Sequence, residues 1–184
     1  MIQLRNAEPR DADFIARMIL TALHIETEGN GPLTAHIAAL VAREDTLYTW
    51  RHCLIAADDG EAAGLCLAYD GRDYHERSIR TFRMQGGDGK ALVDYIPSLE
   101  HNADEAGEGE YYLDSIAVLP EYRGHGIART MISAQIETAG RLGLLPTLLV
   151  DPDNTAAIRL YASLGFRHTG TVHAFGMDYH KYTR

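Results

Sequence analysis

The sequence predicts a mixed α/β (α+β) protein built around one sheet. Short apolar runs of strand length alternate with longer segments in which apolar residues recur at helical spacing. No internal repeat or low-complexity tract interrupts this order. The apolar fraction of 46% and the charged fraction of 23% are ordinary for a globular protein and argue against disorder. At about 150 residues per domain, the length predicts a single domain over residues 1–184.

The N-terminal part predicts a strand, two helices and a hairpin. Residues 2–5 alternate as a strand does, and apolar residues recur at helical spacing over 9–24 and 34–43. Two apolar runs, 53–57 and 62–69, flank an Asp-Gly pair, which is a strong hairpin signal.

Residues 70–109 are less regular. Helical patterns cover 74–84 and 90–99, and a glycine-rich stretch separates them. Two roles stay open for Tyr74, His75 and Arg77: they line the acceptor pocket or, as we expect, lie on a solvated face of the first of these helices. The intervening GGDGK lacks the first glycine and the hydroxyl residue of a phosphate-binding loop, so we interpret it as a flexible break.

The C-terminal half has the clearest pattern. Residues 110–118 alternate as a strand, and Arg123-Gly124-His125-Gly126 precedes a helix predicted over 127–141. The remaining expected elements are a strand at 147–150, a helix at 154–164 and a strand pair at 166–172 and 177–182.

A strand, a glycine-containing turn and a long helix in succession are suited to binding an anion. Glycine lets the backbone approach closely, and the first turn of a helix presents free N–H groups at its partially positive end. A phosphate or pyrophosphate is the natural occupant, with Arg123 and Arg129 beside it. The same Gly-x-Gly pattern also occurs in tight turns that bind nothing, and Arg129 stands where the dinucleotide fingerprint needs its third glycine.

Two motifs resemble those of the GCN5-related N-acetyltransferases (GNAT). Residues 112–128, YLDSIAVLPEYRGHGIA, resemble the core motif of the family, whose signature Arg/Gln-x-x-Gly-x-Gly/Ala is met by Arg123, Gly126 and Ala128. A second motif follows at the expected distance, with Asn154, Ala157, Leu160, Tyr161 and Leu164-Gly165-Phe166. The resemblance covers residues 110–166 and implies a GNAT-like, mixed and mostly antiparallel central sheet flanked by helices.

The resemblance implies acetyl-CoA as the co-substrate. Its pantetheine arm would pair with the backbone of Ile116, Ala117 and Val118 and with the side chain of Asn154. Its pyrophosphate would lie on the turn and on the start of the following helix, at Arg123, Gly124, His125, Gly126, Ile127, Ala128 and Arg129. Tyr161 matches the general acid of the family, which returns a proton to the departing thiolate.

The general base departs from the better-known patterns of the family. Branches of the family carry a Glu at the position of Tyr112 or of Leu149, and neither residue is acidic here. Asp114 lies on the same predicted strand face as Tyr112, about 7 Å along it, and is our first candidate; Glu110 is the second. Structural roles stay open for the chosen residues, with Tyr161 as a packing residue, Asn154 as an N-cap and Asp114 as the partner of an arginine.

These expectations describe an acetyl-CoA-dependent N-acetyltransferase. It would transfer the acetyl group to a primary amine of a small molecule or peptide by direct attack of the amine on the thioester. Two alternatives stay open, a CoA-binding regulatory or sensor domain and a protein N-acetyltransferase. We expect residues 70–109 near the acceptor site, and we expect no metal because the nine histidines show no metal-ligand spacing.

The charge and the cysteines restrict partners and compartment. A formal net charge of −9 disfavours general affinity for nucleic acid or anionic membranes. Eight acidic residues and no Lys or Arg occupy residues 91–122, which we expect to face the entrance for a cationic acceptor. Cys53 and Cys66 lie in apolar segments, which is typical of buried, reduced thiols. The sequence shows neither a signal peptide nor a membrane-spanning apolar run, so we expect a cytoplasmic protein. A homodimer is left open.

Overall fold

The computed structural model describes residues 2–184, which contain a seven-stranded sheet. Its strands are β1 (Ile2–Asn6), β2 (Cys53–Asp58), β3 (Glu61–Asp70), β4 (Glu110–Val118), β5 (Leu145–Val150), β6 (Arg167–Ala174) and β7 (Met177–Thr183). Their order across the sheet is β1-β2-β3-β4-β5-β7-β6, and β4 and β5 pair in parallel while the other neighbouring strands are antiparallel. The predicted mixed and mostly antiparallel sheet is confirmed.

Helices cover both faces of this sheet. They are α1 (Ala12–Ala22), α2 (Gly31–Val41), α3 (Tyr74–Arg83), α4 (Leu92–Tyr95), α5 (Ile127–Leu142) and α6 (Thr155–Ser163). On one face, α1 and α2 enclose the larger apolar cluster, in which Ile15 and Ile19 of α1 are fully buried. Each such side chain stabilises the fold by roughly 1.5–3 kcal/mol. On the other face, α5 and α6 pack over two smaller clusters.

The first predicted helix is shorter than residues 9–24. A 3₁₀ turn occupies Pro9–Asp11, and α1 ends at Ala22. His24 takes a left-handed φ of +57°, which a helix cannot continue through.

The prediction of a helix over residues 90–99 is wrong for most of these residues. The α-helix is limited to Leu92–Tyr95, and a 3₁₀ turn follows at Pro97–His101. Proline disfavours helical backbone in the residue before it, and Ile96 is accordingly non-helical, with φ −128° and ψ 78°. The expectation of a solvated face is also wrong for Tyr74, the first residue of α3, because its side chain is buried.

A β-bulge interrupts the alternation that the sequence predicts along β4. Leu67 pairs with Ser115 and Ala68 with Leu113, so Asp114 is the extra residue in the ladder between β3 and β4. Beyond the bulge, odd- and even-numbered residues exchange faces of the sheet. Ala117 therefore lies in the same apolar cluster as Tyr112.

The strands β4 and β5 separate part-way along their length. Their parallel ladder covers Glu110–Leu113 of β4 and ends at Leu148 of β5. Within residues 2–184, β4 continues to Val118 with no strand beside it on that side. This leaves an open wedge in the sheet and a free strand edge along it.

Both cysteines lie in the apolar interior of the protein. Cys53 and Cys66 are buried free thiols that belong to apolar clusters on opposite faces of the sheet. Burial raises the pKa of the Cys66 thiol to about 12. Within residues 2–184, no helix is long and apolar enough to cross a membrane.

A glycine contact holds the segment before β4 against the start of α3. Gly71 is buried, and a Cβ added there would lie 2.5 Å from the carbonyl oxygen of Gly107 and 2.9 Å from its backbone nitrogen. No real Cβ approaches so closely, so a side chain at position 71 must displace the backbone around residue 107. That backbone carries the residues that lead into β4.

We predict that Gly71→Ala lowers the free energy of unfolding by about 1–3 kcal/mol, because the backbone must shift to admit one methyl group. Gly107→Ala is the matched control, since a Cβ at position 107 meets no atom within 4 Å. Chemical denaturation of both variants measures the difference. Equal effects of the two substitutions would contradict the account of this contact.

Candidate active site

The turn before α5 presents a row of free backbone donors. Gly124 and Gly126 take φ angles of +81° and +79°, which glycine adopts without steric cost. The N–H groups from Gly124 to Arg129 find no acceptor among residues 2–184. They lie at the partially positive end of a 16-residue helix. This donor set fits an anionic pyrophosphate.

A cleft of about 370 Å³ lies beside this turn. It brings together most of the residues predicted to bind the cofactor, and its lining comprises Ile116, Ala117, Val118, Tyr122, Arg123, Gly124, Gly126, Ile127, Ala128, Arg129 and Leu160. Arg123 is held by a 3.0 Å hydrogen bond from its Nε to the carbonyl oxygen of Val118, and Arg129 donates to the Ser163 hydroxyl at 2.7 Å. His125 is exposed and lies outside the lining.

Asn154 and Tyr161 belong to the helix that faces this cleft. The side-chain oxygen of Asn154 accepts a 3.1 Å hydrogen bond from the backbone N–H of Ala157, so the N-cap role is confirmed. Tyr161 is buried with its ring edge-on to Phe166, and its hydroxyl makes no hydrogen bond to any residue that the structure describes. Burial raises the pKa of Tyr161, so its hydroxyl keeps its proton at neutral pH.

A second, more enclosed cavity of about 120 Å³ lies in the wedge between β4 and β5. It shares Ile116 with the cleft, so the two spaces adjoin. Its lining contains three acids, six aromatic residues and no Lys or Arg: Ala22, Leu23, His24, Tyr48, Phe82, Glu105, Tyr112, Asp114, Ile116, Leu149, Val150, Asp151, Asn154, Tyr161, Ala174, Phe175 and Tyr179.

Asp114 points a carboxyl group into this cavity and has no arginine partner within residues 2–184. Its Oδ2 accepts a 2.5 Å hydrogen bond from the Tyr69 hydroxyl, and its Oδ1 accepts one of 2.7 Å from the Ser115 hydroxyl. Burial raises the pKa of Asp114, while these two hydrogen bonds act in the opposite direction.

Glu105 is a candidate site residue that the sequence reasoning missed. Its residue surface is only 6% exposed, and its carboxyl group lines the same cavity as Asp114. The Tyr74 hydroxyl donates to Oε1 at 2.8 Å and the Tyr112 hydroxyl to Oε2 at 2.6 Å. Burial, followed by the charge of Asp114, raises the pKa of Glu105 to about 7. Because the charge of Asp114 raises the pKa of Glu105, the two carboxyl groups titrate as an interacting pair.

Glu110, the second predicted base, lies outside the cavity. Its carboxylate forms a 2.7 Å ion pair with Lys181 and accepts the backbone N–H of Gly107. The one sequence signal for Glu105 is its place in the acidic stretch of residues 91–122. Nothing in that stretch distinguishes the buried acid from its exposed neighbours.

With this geometry in place, the sequence profile described as "Acetyltransferase (GNAT) family" matches residues 22–166. The chain belongs to this family. The match spans both motifs, the turn before α5 and the carboxyl pair, so the predicted resemblance to the GNAT family is confirmed.

Individual relatives agree with the family and differ in how much they cover. The mycothiol acetyltransferase of Kocuria rhizophila is 41% identical over 66 residues, which are 35% of this chain and 21% of that protein. The chain thus matches about a fifth of the length of that curated relative. An N-acetyltransferase structure from Staphylococcus aureus Mu50 superposes with a TM-score of 0.83 at 22% identity, covering 99% of this chain and 100% of that one.

One structural neighbour has been solved with its substrate and coenzyme A. The diaminobutyrate acetyltransferase EctA from Paenibacillus lautus, in complex with L-2,4-diaminobutyric acid and coenzyme A, has a TM-score of 0.57 and 16% identity. The match covers 100% of this chain and 93% of that chain. At this identity the likeness shows the shared fold.

We predict that Glu105→Gln stabilises the protein at pH 8 relative to pH 5. The pKa of Glu105 is higher in the folded chain than in the unfolded chain, so folding binds a proton and stability falls as pH rises from about 4.5 to 7. Glutamine removes this loss, which is on the order of 1–3 kcal/mol.

Chemical denaturation at the two pH values measures the effect, and Glu108→Gln, which removes an exposed carboxyl group nearby, is the control. A stability change in Glu105→Gln that is the same at pH 5 and pH 8 would argue against a raised pKa.

Proposed function

We propose that this GNAT-family enzyme transfers the acetyl group of acetyl-CoA to a primary amine of a small molecule or peptide. One observation carries the proposal: the anion-binding cleft and the carboxyl-lined cavity adjoin at Ile116, where β4 and β5 separate. A pantetheine arm that runs from the turn before α5 along the free edge of β4 would reach that cavity. The coenzyme A bound to EctA supports the choice of co-substrate.

The cofactor residues proposed are those of the cleft and its edge. The backbone N–H groups from Gly124 to Arg129 would hold the pyrophosphate, with Arg123 and Arg129 adding charge. The backbone of Ile116, Ala117 and Val118 would pair with the pantetheine arm, and Asn154, which reaches the neighbouring cavity, would add a side-chain contact. When bound, acetyl-CoA supplies the thioester carbonyl that the amine attacks and the thiolate that leaves.

The proposed base is the Glu105–Asp114 pair. An amine reaches the site as an ammonium ion and must lose a proton before it can attack. A carboxylate oxygen of the pair accepts that proton, and a pKa of about 7 for Glu105 is well matched to this task near neutral pH. Tyr112 donates to Glu105, so a carboxyl group lies beside the strand position where other branches of the family carry Glu.

The proposed general acid is Tyr161. Its hydroxyl lines the cavity without a protein partner among the described residues, and its raised pKa keeps the phenolic proton available. Tyr161 donates this proton to the leaving sulfur and regains one from the nitrogen that forms the amide. Holding the amine and the thioester in one small cavity supplies much of the remaining acceleration.

Two measurements on the purified protein test the proposal. Calorimetry should detect acetyl-CoA binding, and a panel of primary amines should give free thiol with at least one acceptor. No detectable binding at millimolar acetyl-CoA would contradict the proposal. Binding without thiol release from any amine would favour the CoA-sensor alternative, and release from protein substrates alone would favour the protein acetyltransferase.

We predict that Tyr161→Phe lowers kcat by about 100-fold, because the leaving thiolate loses its proton donor, while the Kd of acetyl-CoA stays close to its original value. Tyr182→Phe is the matched control, since Tyr182 is a buried tyrosine of the same apolar cluster that does not line the cavity. Steady-state kinetics and calorimetry separate the two effects. An unchanged kcat in Tyr161→Phe would remove this residue from the mechanism.

A further inference from the structure

The two carboxyl groups of the cavity have no cationic partner in the part of the chain that the structure describes. All four of their oxygens accept hydrogen bonds from hydroxyl groups, those of Tyr69, Ser115, Tyr74 and Tyr112. No Lys or Arg of residues 2–184 forms an ion pair with either group. Buried carboxylates in proteins are normally paired with a positive charge, so this pair lacks the partner that its burial calls for.

The nearest lysine does not supply that charge. The ammonium group of Lys181 binds the Glu110 carboxylate at 2.7 Å and the carbonyl oxygen of Glu105 at 3.4 Å. It therefore serves another carboxylate and the backbone, and the charge of Lys181 is already neutralised. An ammonium group of the ligand can supply the positive charge that the ionised Glu105–Asp114 pair lacks.

The rest of the cavity wall suits an ammonium ion on an aliphatic chain. Tyr48 is 3% exposed, lines the cavity, and has a hydroxyl with no hydrogen-bond partner in residues 2–184. Phe82, Phe175 and Tyr179 add aromatic surface, which attracts cations through the ring faces. The enclosed volume of about 120 Å³ is smaller than the roughly 150 Å³ that admits benzene, so it suits a narrow chain.

A third carboxylate, that of Asp151, lines the same cavity as the pair and as Tyr179. Burial, followed by the charges of Asp151 and Glu105, raises the pKa of Tyr179, so both acids lie close to this tyrosine. Asp151 lies at the end of β5 and is partly exposed. A ligand whose ammonium group meets the Glu105–Asp114 pair can therefore place a second cation near Asp151.

We propose that the acceptor is a small aliphatic diamine or polyamine that carries no carboxylate. One ammonium group meets the buried pair and is acetylated, and the second is held near Asp151. A carboxylate on the same chain would enter a cavity lined by three acids and no Lys or Arg, where it is repelled. The inference rests on the proposed acetyl transfer and names the acceptor class for the same site.

Three amines that share the same five-carbon aliphatic chain test the inference. The probes are 1,5-diaminopentane, pentylamine, which lacks the second ammonium group, and lysine, which adds a carboxylate to the diamine. We expect kcat/KM for the diamine to exceed that for each of the others by about tenfold or more, the effect of one well-placed charge contact. Lysine or pentylamine acetylated as efficiently as the diamine would overturn the inference.

A variant pair tests the second subsite. Asp151→Asn keeps the side-chain oxygen that accepts the N–H of Asp153 but removes the charge. It should reduce the ratio of kcat/KM between 1,5-diaminopentane and pentylamine by about fivefold or more. The control Asp153→Asn changes an exposed acid that does not line the cavity and should leave the ratio unchanged. An unchanged ratio in Asp151→Asn would contradict the second subsite.

The failures of the inference and of the proposed function are distinguishable. No thiol release from any amine of a wide panel overturns the proposed function and the inference with it. Thiol release that favours aminocarboxylates or uncharged chains over the diamine leaves acetyl transfer intact and overturns the inference alone.

Discussion

The burial of two carboxyl groups with no Lys or Arg of residues 2–184 paired with them is the constraint on which this site depends. Removing an ionised carboxylate from water costs several kcal/mol, and hydroxyl groups from Tyr69, Tyr74 and Tyr112 offset part of that cost. A retained proton or an incoming ammonium ion offsets the rest. In the proposed reaction the pair passes between these two states, because it first attracts the ammonium ion and then takes a proton from it.

Irregularities of the sheet bring this pair to the cofactor edge. The bulge at Asp114 lets that residue line the wedge, and the separation of β4 from β5 opens the wedge itself. The close contact of Gly71 with Gly107 sets the path of the segment that delivers Glu105. A regular, fully paired sheet would offer neither a free strand edge nor an enclosed cavity between its strands.

The sequence predicts best what depends on local residues. The turn before α5 and the cap of α6 follow from Gly126 and Asn154 and their immediate neighbours, and both are found where expected. Glu105 depends on Tyr74, which is 31 residues away, and its segment has no periodicity to reveal its burial. The bulge depends on pairing with β3, so the alternation along β4 hides it. Pro97 is a local signal for the end of α4, but the apolar pattern over residues 90–99 carries more weight in the prediction.

The pKa of Glu105 is the quantity that tests this account most directly. Carboxyl carbon shifts in ¹³C-labelled protein can be followed against pH by NMR and assigned with the Glu105→Gln and Asp114→Asn variants. The account predicts a carboxyl titration near pH 7 that moves to lower pH when 1,5-diaminopentane is bound, because the ammonium ion favours the ionised pair. A Glu105 that titrates near its ordinary value of 4.5 and does not respond to the diamine would contradict it.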